Sequence, residues 1–266
     1  MALIRLRSFS EMLGMDFQAE AAIPETGKRA YPVLWLLHGA GDDATGWFRN
    51  TSVERLATRR GLAVVAPNAG LSLYEDMAHG QRFFSHIADE LPELLPGLLP
   101  LSRAREDNFI AGLSMGGMGA LKIAIHRPDR FAAVGCLSAG YTNRRFHEPE
   151  PGTLRERRYF WAYGADGPEP AEAELLRRCG DIATGVAAGV ARAPRIYHAC
   201  GTEDSLLRNA RMTRDFFEAF PGNPFSYTYR EYPGRHNWEF WEARLAEMLD
   251  FLQKNGDSGR FSRNFV

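Results

Sequence analysis

Asn108-Phe109-Ile110-Ala111-Gly112-Leu113-Ser114-Met115-Gly116-Gly117 is the stretch that decides the fold. Asn108 to Ala111 reads as a β-strand and Gly117 to His126 as a helix, with a G-x-S-x-G sequence centred on Ser114 between them. A serine at such a bend sits in a strained backbone conformation. Strand and helix then approach so closely that only small residues fit two positions before it and two after. Gly112 and Gly116 supply those positions. The bend lifts the hydroxyl above the carboxyl edge of a sheet, with a helix N-terminus beneath it. A glycine-rich turn that merely contains a serine is the bland alternative. The strand before it and the helix after it favour a nucleophile.

Working outward, strand and helix alternate. Tyr31 to Leu37 and Gly61 to Pro67 are continuous apolar runs, as expected of strands buried on both faces. Phe131 to Ser138, Arg195 to Cys200 and Phe225 to Tyr232 read as further strands. Helices are expected at Thr51 to Arg60, at Phe83 to Leu95 with Pro92 and Pro96 limiting its end, at Leu206 to Phe220 and at Trp238 to Gln253. Leu3 to Ile23, broken at Leu13-Gly14, reads as two antiparallel strands at a sheet edge. Residues 141–180 interrupt the rhythm with Arg, Glu, Pro and scattered aromatics, and read as a lid-like excursion over the top of the sheet. No repeat appears at periods of 20–50 residues. The pattern predicts an α/β fold with a mostly parallel central sheet flanked by helices and an antiparallel N-terminal edge. One domain over residues 1–254 accounts for it, followed by a polar tail, 255–266, with only Phe261 and Phe265 to dock it.

The 266 residues carry 33 acidic and 32 basic side chains, a net charge of −1, which removes the footprint of a nucleic-acid binder and of a polybasic membrane-surface protein. A 45% hydrophobic and 12% aromatic content excludes disorder. Three scattered cysteines, Cys136, Cys179 and Cys200, form neither a disulfide framework nor a zinc site and suit a reducing compartment. The N-terminus has no apolar signal core, and no apolar run approaches the roughly 20 residues of a membrane span. The expectation is a cytoplasmic protein with no nucleic-acid or membrane partner, no cofactor and no metal.

A serine hydroxyl needs a base to take its proton. On folds with this elbow the partners follow in the order serine, acid, histidine. Of the downstream histidines, His126 ends the helix that begins at the elbow and points away. His147 lies in the excursion, and His198 lies inside a strand where a satisfied core ring is expected. His236, on a loop between the last strand and the last helix, is where a catalytic group reaches a site. The acid is expected at the end of the preceding strand, where Glu203 and Asp204 stand. Asp204 can turn inward while Glu203 faces solvent; capping the following helix is its competing role. An oxyanion hole would use the backbone N–H of Met115 and, from the loop His38-Gly39-Ala40-Gly41, that of Ala40. His38 itself reads as structural. Trp47, Trp161 and Trp238 are candidate substrate-pocket residues, with Phe48, Tyr74 and Phe83 as further aromatics that could crowd the site.

These residues resemble a known family. His38-Gly39-Ala40-Gly41, Thr51-Ser52-Val53-Glu54-Arg55-Leu56, Val65-Ala66-Pro67-Asn68, Glu90-Leu91-Pro92, Ala111 to Gly117 and His236-Asn237-Trp238-Glu239-Phe240-Trp241 are similar to the esterase D-like branch of the α/β-hydrolases, especially the bacterial tributyrin (short-chain) esterases. The resemblance runs from about residue 10 to residue 250. It implies an α/β-hydrolase fold and a serine carboxylesterase that cleaves short acyl esters, as small-molecule substrates, through an acyl-enzyme. Ser114, Asp204 and His236 match the family's triad, and Ala40 and Met115 its oxyanion positions. Homo-oligomer formation, frequent among the resembling esterases, stays open. The loop His38-Gly39-Ala40-Gly41-Asp42 departs from the His-Gly-Leu-Thr-Cys type of S-formylglutathione hydrolases. A thioesterase or acyltransferase is the alternative enzyme, and a non-catalytic binding module on a hydrolase scaffold is the reading from another class.

Overall fold

The computed structural model describes residues 1–141, 152–165, 167 and 170–254. Among the described residues eight strands form one sheet: β1 (Ala2–Ser10), β2 (Met15–Ile23), β3 (Val33–Leu37), β4 (Ala63–Pro67), β5 (Asn108–Leu113), β6 (Ala133–Leu137), β7 (Arg195–Gly201) and β8 (Thr228–Tyr232). Their order is β1-β2-β4-β3-β5-β6-β7-β8. β2 pairs antiparallel with both β1 and β4, and every other pairing is parallel. The expected antiparallel edge is therefore the β1–β2 ribbon.

All residues of β3, β4 and β5 are buried. Alternate side chains go to opposite faces. Val33, Trp35 and Leu37 join one core with Val65 and Ile110, whereas Leu34 and Leu36 join the other with Val64, Phe109 and Ala111. Two cores on one sheet are the reason these strands read as unbroken apolar runs.

The helices are α1 (Gly46–Asn50), α2 (Val53–Arg59), α3 (Phe83–Ser85), α4 (Leu91–Leu94), α5 (Met115–His126), α6 (Leu154–Tyr163), α7 (Ala171–Ala187), α8 (Leu207–Ala219) and α9 (Trp238–Gln253). Two differences from the sequence reading stand out. Pro92 does not end its helix: a π-helical turn, His86–Glu90, joins α3 to α4, with Leu91 N–H bonded to the His86 carbonyl. The wider turn clears the carbonyl that a pyrrolidine ring would otherwise strike. The excursion is also more regular than expected, since α6 and α7 lie within it and α7 runs on to Ala187. His147, residues 142–151 and the tail 255–266 lie outside the described residues. Among the described residues no helix is long and apolar enough to cross a membrane.

The strand order reverses at β3. The chain goes from β3 outward to β4, then returns to the other side of β3 as β5. Loops leaving the carboxyl ends of β3 and β5 therefore diverge at one switch point, where open α/β sheets place their ligands.

Candidate active site

Ser114 follows β5 and is the N-cap of α5. Its φ of +52° and ψ of −122° are the strained geometry that the motif foretold. The flanking glycines are required by contact. A Cβ on Gly112 would fall on the Gly116 carbonyl, and one on Gly116 would fall on the Leu37 and His38 carbonyls. Ser114 N–H donates to the Leu137 carbonyl at 2.9 Å, which ties the bend to β6.

The loops after β7 and β8 are laced together. Thr202 N–H donates to the Tyr232 carbonyl at 2.8 Å and Glu203 N–H to the Gly234 carbonyl at 2.9 Å. Asn237 caps α9 by accepting from Phe240 N–H at 3.1 Å, which fixes the chain just after His236. His236 Nδ1 lies 3.0 Å from each carboxylate oxygen of Asp204, and its Nε2 lies 2.9 Å from Ser114 Oγ. A carboxylate accepts only, so Nδ1 carries the proton and Nε2 offers its lone pair to the serine hydroxyl. Asp204 does not cap α8, whose N-cap is Leu206; its Oδ1 accepts Leu206 N–H at 2.7 Å in the turn before that helix. Burial pushes the Asp204 carboxyl up, but hydrogen bonds from His236, the Leu206 N–H and Ser138 outweigh it and hold it below its ordinary value. Glu203 turns to solvent and pairs with Arg235 at 3.0 Å.

The loop after β3 presses on this bend. A Cβ on Gly39 would lie 2.7 Å from Leu113 Cδ1 and 3.5 Å from Ser114 Cβ. Ala40, next in the chain, is exposed. Met115 is the first residue of α5, so its N–H has no acceptor within the helix.

A model of the Esterase family, described as "Putative esterase", matches residues 10–252. The chain belongs to this family. Over 97% of its length this esterase is 25% identical to the whole of an acetyl esterase from Caldicellulosiruptor saccharolyticus. Its structure is similar to that of the fluorophosphonate-binding serine hydrolase F of Staphylococcus aureus, with a TM-score of 0.81 and 27% identity over 96% of this chain and 99% of that one. It is also similar to the S-formylglutathione hydrolase of Staphylococcus aureus, with a TM-score of 0.78 and 28% identity over 95% and 99%. The esterase has the α/β-hydrolase fold, is of the esterase D-like kind, and is a serine hydrolase of carboxylic esters.

In the esterase the other described downstream histidines are occupied elsewhere. His198 is fully buried, with Nδ1 accepting from Tyr227 Oη–H and Nε2–H donating to the Ala139 carbonyl, each at 2.7 Å. Burial lowers its pKa to about 4. His126 pairs with Glu174 of α7 at 3.0 Å. His38 donates from Nδ1 to the Gly39 carbonyl at 2.8 Å and accepts Ala69 N–H at Nε2 at 2.9 Å, so both ring nitrogens hold loops in place.

Two of the aromatic candidates, Trp47 and Tyr74, need correction. Trp47 is fully buried, and its indole N–H donates to the Leu37 carbonyl at 2.9 Å. It props the end of β3 and cannot face a substrate. Tyr74 is likewise buried and donates its hydroxyl to the His38 carbonyl at 2.9 Å. Trp161, on α6, is 38% exposed. Trp238 is half-buried in an edge-to-face series in which Trp47 meets Trp238, Trp238 meets Trp241, and Trp241 meets His236 at 5.2 Å. Trp241 and Ser138 were not singled out by the sequence, because no motif joins the end of β6 to α9. Among the described residues no group of three or more His, Cys, Asp or Glu side chains could hold a metal ion.

Proposed function

We propose that this esterase hydrolyses short-chain acyl esters through an acyl-enzyme, with Ser114 as nucleophile, His236 as general base and then acid, and Asp204 as the group that orients His236. The observation that carries this reading is the 2.9 Å approach of His236 Nε2 to Ser114 Oγ, with Asp204 on the opposite ring nitrogen. In the first half-reaction Nε2 takes the hydroxyl proton as Oγ bonds to the ester carbonyl carbon. The resulting oxyanion is received by the N–H groups of Met115 and Ala40. Collapse breaks the bond to the alcohol oxygen, which leaves with the proton held on Nε2. Water then repeats the sequence on the acyl-enzyme: His236 takes its proton, the acid departs, and the proton returns to Ser114. The acetyl esterase relative supports a small acyl group. Three buried, unpaired cysteines support a reducing compartment, the cytoplasm.

Hydrolysis of p-nitrophenyl esters from acetate to dodecanoate tests the reading. Activity is expected to peak at the short end, and Ser114→Ala is expected to lose it by at least about 10³-fold. Full activity in the purified, folded Ser114→Ala protein would refute the assignment.

A thioesterase reading draws on the likeness to the S-formylglutathione hydrolase. The sequence of the loop His38-Gly39-Ala40-Gly41 supports the ester reading instead. A higher kcat/KM for S-formylglutathione than for p-nitrophenyl acetate would replace the ester with the thioester as preferred substrate.

A further inference from the structure

The polar line that begins at Ser114 does not end at Asp204. Ser138 is the first residue beyond β6, fully buried, with its N–H bonded to the Ala199 carbonyl of β7 at 2.8 Å. Its φ is +51°, a left-handed conformation that residues with side chains rarely adopt. Its hydroxyl oxygen receives the indole N–H of Trp241 at 2.9 Å. An indole N–H can only donate, so Oγ accepts there and the serine's own proton is left for another partner. Ser138 is also among the groups whose hydrogen bonding holds the Asp204 carboxyl below its ordinary value. An ionised carboxylate accepts only, so toward Asp204 the Ser138 hydroxyl can serve only as a donor.

Two donors lie at hydrogen-bond distance from this carboxylate, the Leu206 N–H at 2.7 Å and the His236 Nδ1–H at 3.0 Å, and the Ser138 hydroxyl is placed to serve as a third. Trp241 serves the base as well as the acid. It stands on α9, the helix that follows His236, and meets the imidazole edge-on at 5.2 Å and 88°. The carboxylate torsion of an aspartate is soft, so two donors leave it free to swing about its bond. A third donor, itself anchored to a packed indole, removes that freedom.

We propose that Ser138 and Trp241 are positioning residues that lock the Asp204 carboxylate against His236, and so keep Nε2 aimed at Ser114. The proposal rests on the roles given above to Ser114, His236 and Asp204. Neither residue touches the ester; both act through the acid and the base. Outer hydrogen bonds of this kind hold a reacting group within the small tolerance that catalysis requires.

The test uses the full-length protein and p-nitrophenyl acetate, with Ser114→Ala alongside. Ser138→Ala is expected to lower kcat about tenfold with KM within about twofold of wild type. It also moves the acid limb of the pH–rate profile upward, because a carboxylate with one donor fewer is more basic and holds the proton on the imidazolium more tightly. Trp241→Phe keeps a ring against His236 and removes the indole N–H; its effect has the same direction and is smaller. The double variant Ser138→Ala/Trp241→Phe is expected to fall no further in kcat than Ser138→Ala, since both changes act through one hydrogen bond. The double variant also leaves no orphaned indole N–H, so it and Trp241→Phe decide the matter if Ser138→Ala does not fold. Wild-type kcat and an unmoved acid limb in the folded variants, with Ser114→Ala inactive, would overturn the proposal. So would losses that simply multiply in the double variant. An active Ser114→Ala protein would instead overturn the reading on which the proposal rests.

Discussion

Glu203 and Asp204 are adjacent carboxylates with opposite surroundings. Glu203 is exposed and shares a solvent-screened pair with Arg235, whereas Asp204 is 6% exposed and meets His236 with both oxygens. Asp204→Asn replaces an acceptor with an amide that can donate to Nδ1, which favours the wrong imidazole tautomer. The expected loss in kcat is roughly 10³–10⁴-fold with the fold retained. Glu203→Gln is expected to leave kcat within about twofold, because exposed pairs contribute little. Steady-state kinetics on the two variants distinguish them, and equal losses would refute the assignment of the acid. At this scale Ser114 was legible because its motif encodes a backbone shape, and His236 because it stands on a loop entering the last helix. Ser138 was not, since its significance depends on a tryptophan 103 positions away. Trp47 was misread for a related reason: residue type does not say whether an aromatic ring faces the cleft or props a strand from behind.

Among the elements, the elbow is the least tolerant of change. At Gly116 an added Cβ would meet backbone carbonyls of Leu37 and His38, which cannot step aside without moving β3. Gly116→Ala is expected to cost about 1–3 kcal/mol through overpacking, with activity falling along with it. Gly180 provides the contrast. It lies inside α7 with nothing within 4 Å of an added Cβ, so Gly180→Ala is expected to stabilise by about 0.5–1 kcal/mol. Urea denaturation of both variants checks the pair, and a stabilised Gly116→Ala protein would contradict the close approach. Strands were legible because burial on both faces leaves only apolar residues to read. The helices of the excursion were not, since their polar faces dilute the pattern. Yet Thr153-Leu154-Arg155-Glu156 carries a capping signal, and the structure uses it: the Thr153 side chain accepts from Glu156 N–H. Ala171, Leu175, Cys179 and Ile182, all buried, mark the inner face of α7 at helical spacing.

At the scale of the whole molecule, burial has drawn four histidines among the described residues toward their neutral forms. Desolvation lowers His38, His86, His126 and His198 from the ordinary value of 6.5, opposed at His86 and His126 by bonds to Glu90 and Glu174. The unfolded chain takes up protons near that value while the native protein resists, so the native state loses stability as pH falls. For His198 the window runs from 6.5 down to about 4, with a slope of about 1.4 kcal/mol per pH unit from this residue alone. Glu75 acts in the opposite sense. Burial raises its carboxyl, so the native state is protonated first and gains stability on acidification, opposing the histidines. Asp204 and Glu174, held low (Glu174 at about 2), extend the loss below the carboxylate range. The urea midpoint is therefore expected to hold from pH 8 to 7 and decline steadily from 6.5 to 5. His198→Gln can still donate to Ala139 and accept from Tyr227 but cannot titrate, so its midpoint should decline less steeply. A wild-type midpoint that stays flat to pH 5, or an unchanged slope in His198→Gln, would show that these rings do not govern acid stability. The consequence reaches the site, because His198 holds the Ala139 carbonyl one residue beyond Ser138. A proton on Nδ1 turns an acceptor of the Tyr227 hydroxyl into a donor, and the bond on which that ring rests must then reverse or break.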